Sequence, residues 1–184
     1  LVTGLIAIIA KKGTPFHKTN GKIFFISMLM VSIFGLLVAH LIGNLFLKFI
    51  ALFALYTNLN GYRATKNKSL KPAIIDWLIL LLGAVNGILM ISTFNVVLLV
   101  FGSLSVLLVL GDLNNYRKVY SQKPLAKNEW LRQHIGMMMG TYIATFTAFI
   151  LVNLRSFEPY WIPWLAPTAI GLPILFLMQR KHAP

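Results

Sequence analysis

The chain contains no cysteine and only four carboxylates in 184 residues. The first absence excludes a disulfide scaffold, a thiolate metal site and a thiol nucleophile. The second leaves little material for general acid or base chemistry. Charged residues make up 11% of the chain and hydrophobic ones 58%, against about 25% and about 45–50% in an ordinary soluble domain. There is too little polar surface to coat a water-soluble globule, so the composition describes an all-α, polytopic transmembrane bundle. Signature motifs are absent as well: no GxSxG nucleophile elbow, no Walker or GxGxxG phosphate loop, and neither HExxH nor HxxxH. The serines at 27, 32, 92, 103 and 105 have no adjacent base. Nucleophilic catalysis, an ATP-driven pump acting alone and a helical zinc motif therefore find no support.

Long apolar segments are what the chain has in quantity. A bilayer core of about 30 Å takes roughly 20 apolar residues as helix, and residues 23–41, 45–62, 74–92, 94–111, 135–154 and 161–178 supply six full spans. Residues 1–10 are apolar but reach only about 15 Å, and are expected to be the truncated remainder of a first span. The formal charge is +13, from 17 Lys and Arg against the four acids. In a soluble protein this would suggest nucleic acid. Alternating the spans, however, places every Lys and Arg except Lys48 and Arg155 on one side, which the positive-inside rule makes cytoplasmic, together with the C-terminus. The charge is then a record of topology, and no nucleic-acid partner is expected. Tyr62, Trp77, Tyr116, Tyr120 and Trp130 gather on that side, with Tyr160, Trp161 and Trp164 on the other, as interfacial aromatic belts do. The longest loop, 112–133, is the expected dock for any partner subunit.

The chain also repeats itself. Asn58-Leu59-Asn60-Gly61-Tyr62-Arg63 matches Asp112-Leu113-Asn114-Asn115-Tyr116-Arg117, and Asp76-Trp77-Leu78 matches Glu129-Trp130-Leu131. Gly83 and Gly87 then correspond to Gly136 and Gly140. Residues 1–184 are read as one transmembrane domain holding two parallel helix-hairpin units, about 45–92 and 95–154, an arrangement known in membrane bundles. Scaffold explains most of each copy: a tyrosine anchor, cations at a helix C-terminus, an acid at the next N-terminus, and glycines that let helices approach.

Departures from the repeat direct attention to chemistry. Asp76 and Asp112 lie at the inner ends of their spans, within reach of Arg63 or Arg132, and intramembrane ionisable groups pair or line polar cavities. His17 and His134 occupy the same interface. From His134, Met138, Thr141, Thr145 and Ala148 form a stripe on one helix face, while Asp76, Gly83, Asn86 and Gly87 mark another. A cytoplasm-facing polar seam between these two spans is expected, with His17, Asp76, Asp112 and His134 at its mouth and Thr141 and Thr145 inside. It would bind a small molecule or ion for transport or sensing. His40, near the outer end of its span, is a further ligand-binding candidate. Glu158 is expected to pair with Arg155 in the outer loop, and Pro167 and Pro173 to kink the last span.

Two cofactors suit these side chains. Zinc accepts His and Asp ligands, though none here stand at helical pair spacing. Haem accepts His, or His with Met137 or Met138. The ascorbate-linked two-haem membrane cytochromes resemble the chain in helix number and paired repeats but need four core histidines, so at most one haem is expected, in a haem- or quinone-linked redox subunit. A non-catalytic partner subunit or a homo-oligomer is the remaining reading.

The segments Gly13-Thr14-Pro15-Phe16-His17-Lys18-Thr19-Asn20-Gly21-Lys22, Asn60-Gly61-Tyr62-Arg63 and Glu129-Trp130-Leu131-Arg132-Gln133-His134, followed by Thr141 to Phe149, resemble bacterial predicted membrane proteins of unknown function. In these a His-x-x-x-Gly-[Lys/Arg] turn and a later His mark the inner face. The resemblance implies a bacterial inner-membrane location and adds weight to His17, Gly21 and His134. It implies no activity.

Overall fold

A computed structural model describes residues 1–153 and 158–182. Among them the chain is entirely helical: α1 (Val2–Ile9), α2 (Pro15–Leu41), α3 (Leu45–Lys66), α4 (Ile74–Ser92), α5 (Val96–Tyr120), α6 (Glu129–Asn153) and α7 (Trp161–His182). Local chemistry sets most of the boundaries. Pro15 opens α2 with Thr14 as its cap, accepting from the His17 amide at 3.3 Å, a favourable start because proline has no amide to leave unpaired. Asn44 caps α3 through the Leu47 amide at 2.9 Å, and Asn95 caps α5 through Val97 and Leu98. Both turns, between α2 and α3 and between α4 and α5, are only three residues long. Each forces an antiparallel hairpin. At α4 the Asp76 carboxylate reaches back to the Ala73 amide at 2.8 Å, half of a capping box.

Five helices are long and apolar enough to cross a membrane: α2, α4, α5, α6 from Glu129 to Leu151, and α7. The segment 45–62, expected as a sixth full span, lies in α3, which is long enough but too polar to count by composition. Position explains the difference. α3 packs against α2, α4, α5 and α6 and buries ten residues, including Tyr56, Thr57, Asn58 and Asn60. A helix surrounded by protein meets hydrogen-bond partners rather than lipid tails. The surrounding helices are apolar on the outside instead: Ile26, Phe34 and Leu37 on α2, Leu81 and Ile88 on α4, and Leu107 on α5 are exposed. Exposed apolar side chains around buried polar ones is the pattern expected of a protein dissolved in lipid. At eight residues α1 is too short to cross.

Side-chain hydrogen bonds tie the helices to α3 and to each other. Asn58 donates to Phe25 O on α2 at 3.0 Å, Asn86 to Phe49 O at 3.1 Å, and Ser105 of α5 to Gly83 O of α4 at 2.9 Å. Gly83 also admits the Tyr56 ring so closely that an added Cβ would stand 2.6 Å from it. Gly83→Ala is therefore expected to lower stability by about 1–3 kcal/mol through overpacking. Gly111→Ala, where a Cβ meets nothing within 4 Å, should be neutral or slightly stabilising. Thermal unfolding of the two variants in detergent compares them directly.

Both prolines expected to kink the last span lie inside α7, which continues through Pro167 and Pro173 as one helix. The two hairpins expected as repeat units are not packed alike. α3 and α4 share a substantial interface, whereas α5 and α6 do not. Arg155, the expected partner of Glu158, lies outside the described residues.

Candidate functional site

At the basic end of the bundle α3 separates two different polar assemblies. Tyr56, Asn60 and Arg63 fall on one face of the helix by their spacing, and Gly61, Tyr62, Thr65 and Lys66 on the other.

The first face carries a closed network. Asp112 of α5, 2% exposed, accepts hydrogen bonds from Tyr56 Oη at 3.2 Å and Asn60 Nδ2 at 2.5 Å. Asn60 Oδ1 in turn accepts from Gln133 Nε2 of α6 at 2.6 Å. Alongside, Arg63 donates through Nε and Nη2 to the two oxygens of Asp76, both at 2.8 Å. That is the one salt bridge among the described residues, and its bidentate fork is the strongest geometry such a pair adopts. The Trp77 and Tyr116 rings meet edge to face nearby, 5.3 Å between centroids. Asp76 and Asp112 thus sit buried in a packed interface.

The opposite face borders a cavity of about 670 Å³, within the range of small-molecule and cofactor pockets. α1, α2, the C-terminal end of α3, and α6 form its walls, with Met178 of α7 at one edge. Lys12, Lys18, Lys22, Lys66 and Lys68 contribute cations, and no Asp or Glu lines it. Below them the lining is aromatic and thioether: Phe24, Tyr62, Trp130, Tyr142, Met138 and Met139. Two lysines rest over rings, Lys68 Nζ 4.8 Å from the Trp130 centroid and Lys66 Nζ 5.4 Å from that of Tyr62. Lys12, in the turn between α1 and α2, donates to Ala7 O at 3.0 Å and to Ile8 O, meeting the carbonyls at the α1 C-terminus where a cation is favoured. Burial pushes its ammonium below the ordinary lysine pKa.

His17 and His134 stand on the wall of this same cavity. His17 Nδ1 lies 2.9 Å from Ala7 O and His134 Nδ1 2.8 Å from Gly61 O. A carbonyl only accepts, so in each ring Nδ1 is the donor and the neutral tautomer leaves Nε2 with its lone pair. Neither Nε2 has a hydrogen-bond partner among the described residues, and neither is a sealed-off orphan. Ala7 O receives both His17 and Lys12, which fastens α1 across the cavity. Among the described residues no group of three His, Asp or Glu comes together, so the zinc considered from the sequence has no ligand cluster.

The other sequence candidates lie elsewhere. Thr141 is fully buried, its hydroxyl 3.0 Å from Thr57 Oγ1 on α3, and Thr145 donates to Thr141 O at 2.8 Å and lies 3.0 Å from Met28 Sδ. The Thr141 and Thr145 part of the α6 stripe therefore faces α3 and α2, while His134 and Met138, at its other end, line the cavity. The polar residue Asn86 of α4 faces α3 as well, and α4 and α6 share no substantial interface. α3 occupies the place where a seam between those two spans was expected. His40 is exposed at the far end of α2, about 35 Å along the helix from His17.

Sequence reasoning left Lys12, Lys66, Lys68, Trp130 and Tyr142 out of the site. The lysines and Trp130 were absorbed into topology and the aromatic belt, which explain such residues individually. What distinguishes them is that they converge on one hollow with no acid in it.

Five helices of spanning length, four of them packed around a polar central one, are the build of a multi-pass membrane protein, here with a basic, aromatic-lined pocket at one end. No family model, curated protein or solved structure matches this chain.

Proposed function

We propose that the protein binds a small amphipathic anion in the cavity bounded by α1, α2, α3 and α6, entering from the cytoplasmic side, for transport or sensing. The observation that carries this reading is the lining: five lysines and two histidines with no carboxylate, above a mostly apolar floor. Like charges gathered around one hollow, four of them on exposed lysines, repel one another and favour a negative occupant. An apolar floor adds attraction in proportion to the surface it removes from water. A small inorganic ion would use the first feature and waste the second.

The test uses the chain in phosphatidylcholine nanodiscs with 11-dansylaminoundecanoate as probe, read by energy transfer from tryptophan. Saturable binding is expected, stronger than for the matched neutral alcohol and weakened by salt. Lys22→Glu with Lys66→Glu should weaken it about tenfold or more, since each cation at an interface contributes about 1 kcal/mol. Equal binding of acid and alcohol, or indifference to the double reversal, overturns the reading.

A further inference from the structure

We propose that the occupant of the cavity is a haem, its iron ligated by Nε2 of His134 and of His17, with its propionates at the lysine rim. This rests on the reading of the cavity as a site for an amphipathic anion, and it names that anion.

Four observations converge on it. First, each imidazole is oriented for ligation, because a ring whose Nδ1–H is held by a carbonyl has its tautomer and its plane fixed. Two such rings, lining the cavity from different helices, α2 and α6, with no Asp, Glu or third His beside them, suit a metal that brings four equatorial nitrogens of its own. They do not suit a bare divalent ion, which needs more protein ligands.

Second, the floor matches a macrocycle. Phe24, Tyr142, Met138 and Met139 present polarisable, apolar surface, and sulfur and aromatic groups pack well against flat rings. Third, five lysines and no carboxylate line the hollow, so a ligand that carries two carboxylates satisfies several of them together.

Fourth, Gly21 lines the cavity from within the second turn of α2, and a Cβ built on it would meet nothing within 4 Å. A mid-helix glycine costs about 0.5–1 kcal/mol relative to alanine. No neighbouring protein atom requires the glycine, and the open space before it has the character of a cradle that a side chain would fill.

The full chain in phosphatidylcholine nanodiscs is titrated with haemin, and with metal-free protoporphyrin IX in parallel. The wild type is expected to give a sharpened Soret band with the split α and β bands of a six-coordinate low-spin haem on reduction. His17→Ala should convert it to a high-spin form. His134→Gly should lose the low-spin spectrum and regain it on adding imidazole, while still binding protoporphyrin IX, which shows that its cavity persists. Gly21→Leu should bind neither porphyrin while melting as the wild type does.

If haemin gives no ligated spectrum but the dansyl carboxylate binds, the haem assignment falls and the anion site stands. If neither binds, both fall. A low-spin spectrum unchanged in both histidine variants also overturns the assignment.

Discussion

Replacing Asp112 with alanine is expected to destabilise the bundle by about 2–6 kcal/mol, more than other single substitutions at its basic end. The carboxylate is the acceptor for Tyr56 Oη and Asn60 Nδ2, and all three side chains are buried. Removing it leaves two donors facing each other, and each buried donor left unpaired costs about 1–3 kcal/mol. Asp112→Asn retains an acceptor and the shape of the side chain, so it should lose about 1–2 kcal/mol. Adding Asn60→Leu to Asp112→Ala removes one of the stranded donors, and the double variant should lose less than the two single losses combined. Denaturant or thermal unfolding in a mild detergent supplies the four corners of that cycle. An Asp112→Ala protein within about 0.5 kcal/mol of wild type, the range of an ordinary surface substitution, would mean that the network does not hold α3 to α5.

Arg63→Ala should cost about 3 kcal/mol. Asp76 is 6% exposed and keeps only the Ala73 amide once the guanidinium is gone, and breaking a buried pair from one side typically costs about 3–5 kcal/mol. The lower end applies because the Arg63 side chain is 31% exposed and solvent already screens part of the interaction. Arg63→Lys preserves the charge and loses the two-bond fork, so a loss of about 1 kcal/mol is expected. Combining Arg63→Ala with Asp76→Asn removes the stranded charge and should recover part of the stability. If Arg63→Ala unfolds like the wild type, the pair is a bystander at the α3–α4 turn.

How much of this was legible in the sequence differs between the two assemblies. Arg63 was one of two partners named for Asp76, because few cations lie near that helix start. Asp112 had no comparable clue, since its partners are amides and a phenol whose direction depends on how α3 rotates against α5. The two similar segments at 58–63 and 112–117 touch, Asn60 of one bonding Asp112 of the other. Aligning similar segments shows which residues correspond and leaves open which residues meet.

The histidines were legible as interface groups, and their common cavity was not. His17 reaches it because Thr14 and Pro15 start α2 just before it and because α1 folds back to offer Ala7 O. His134 reaches it through Gly61 O on α3. Both contacts join different helices, beyond the reach of helical periodicity. The expected seam failed for a related reason. The polar stripes of α4 and α6 were each identified from sequence, and their mutual facing was assumed, whereas α3 stands between them and receives both.

The polarity of α3 has a consequence for how such a chain enters a bilayer. Each of its neighbours is long and apolar enough to span, whereas a helix carrying Thr57, Asn58, Asn60 and Arg63 gains less from lipid. The three-residue turn after α2 ties it to a strongly apolar partner, and Asn58 finds its acceptor on that partner at Phe25 O. Insertion of α3 is thereby coupled to that of α2, and the hairpin, more than the single helix, is the unit that the membrane accepts.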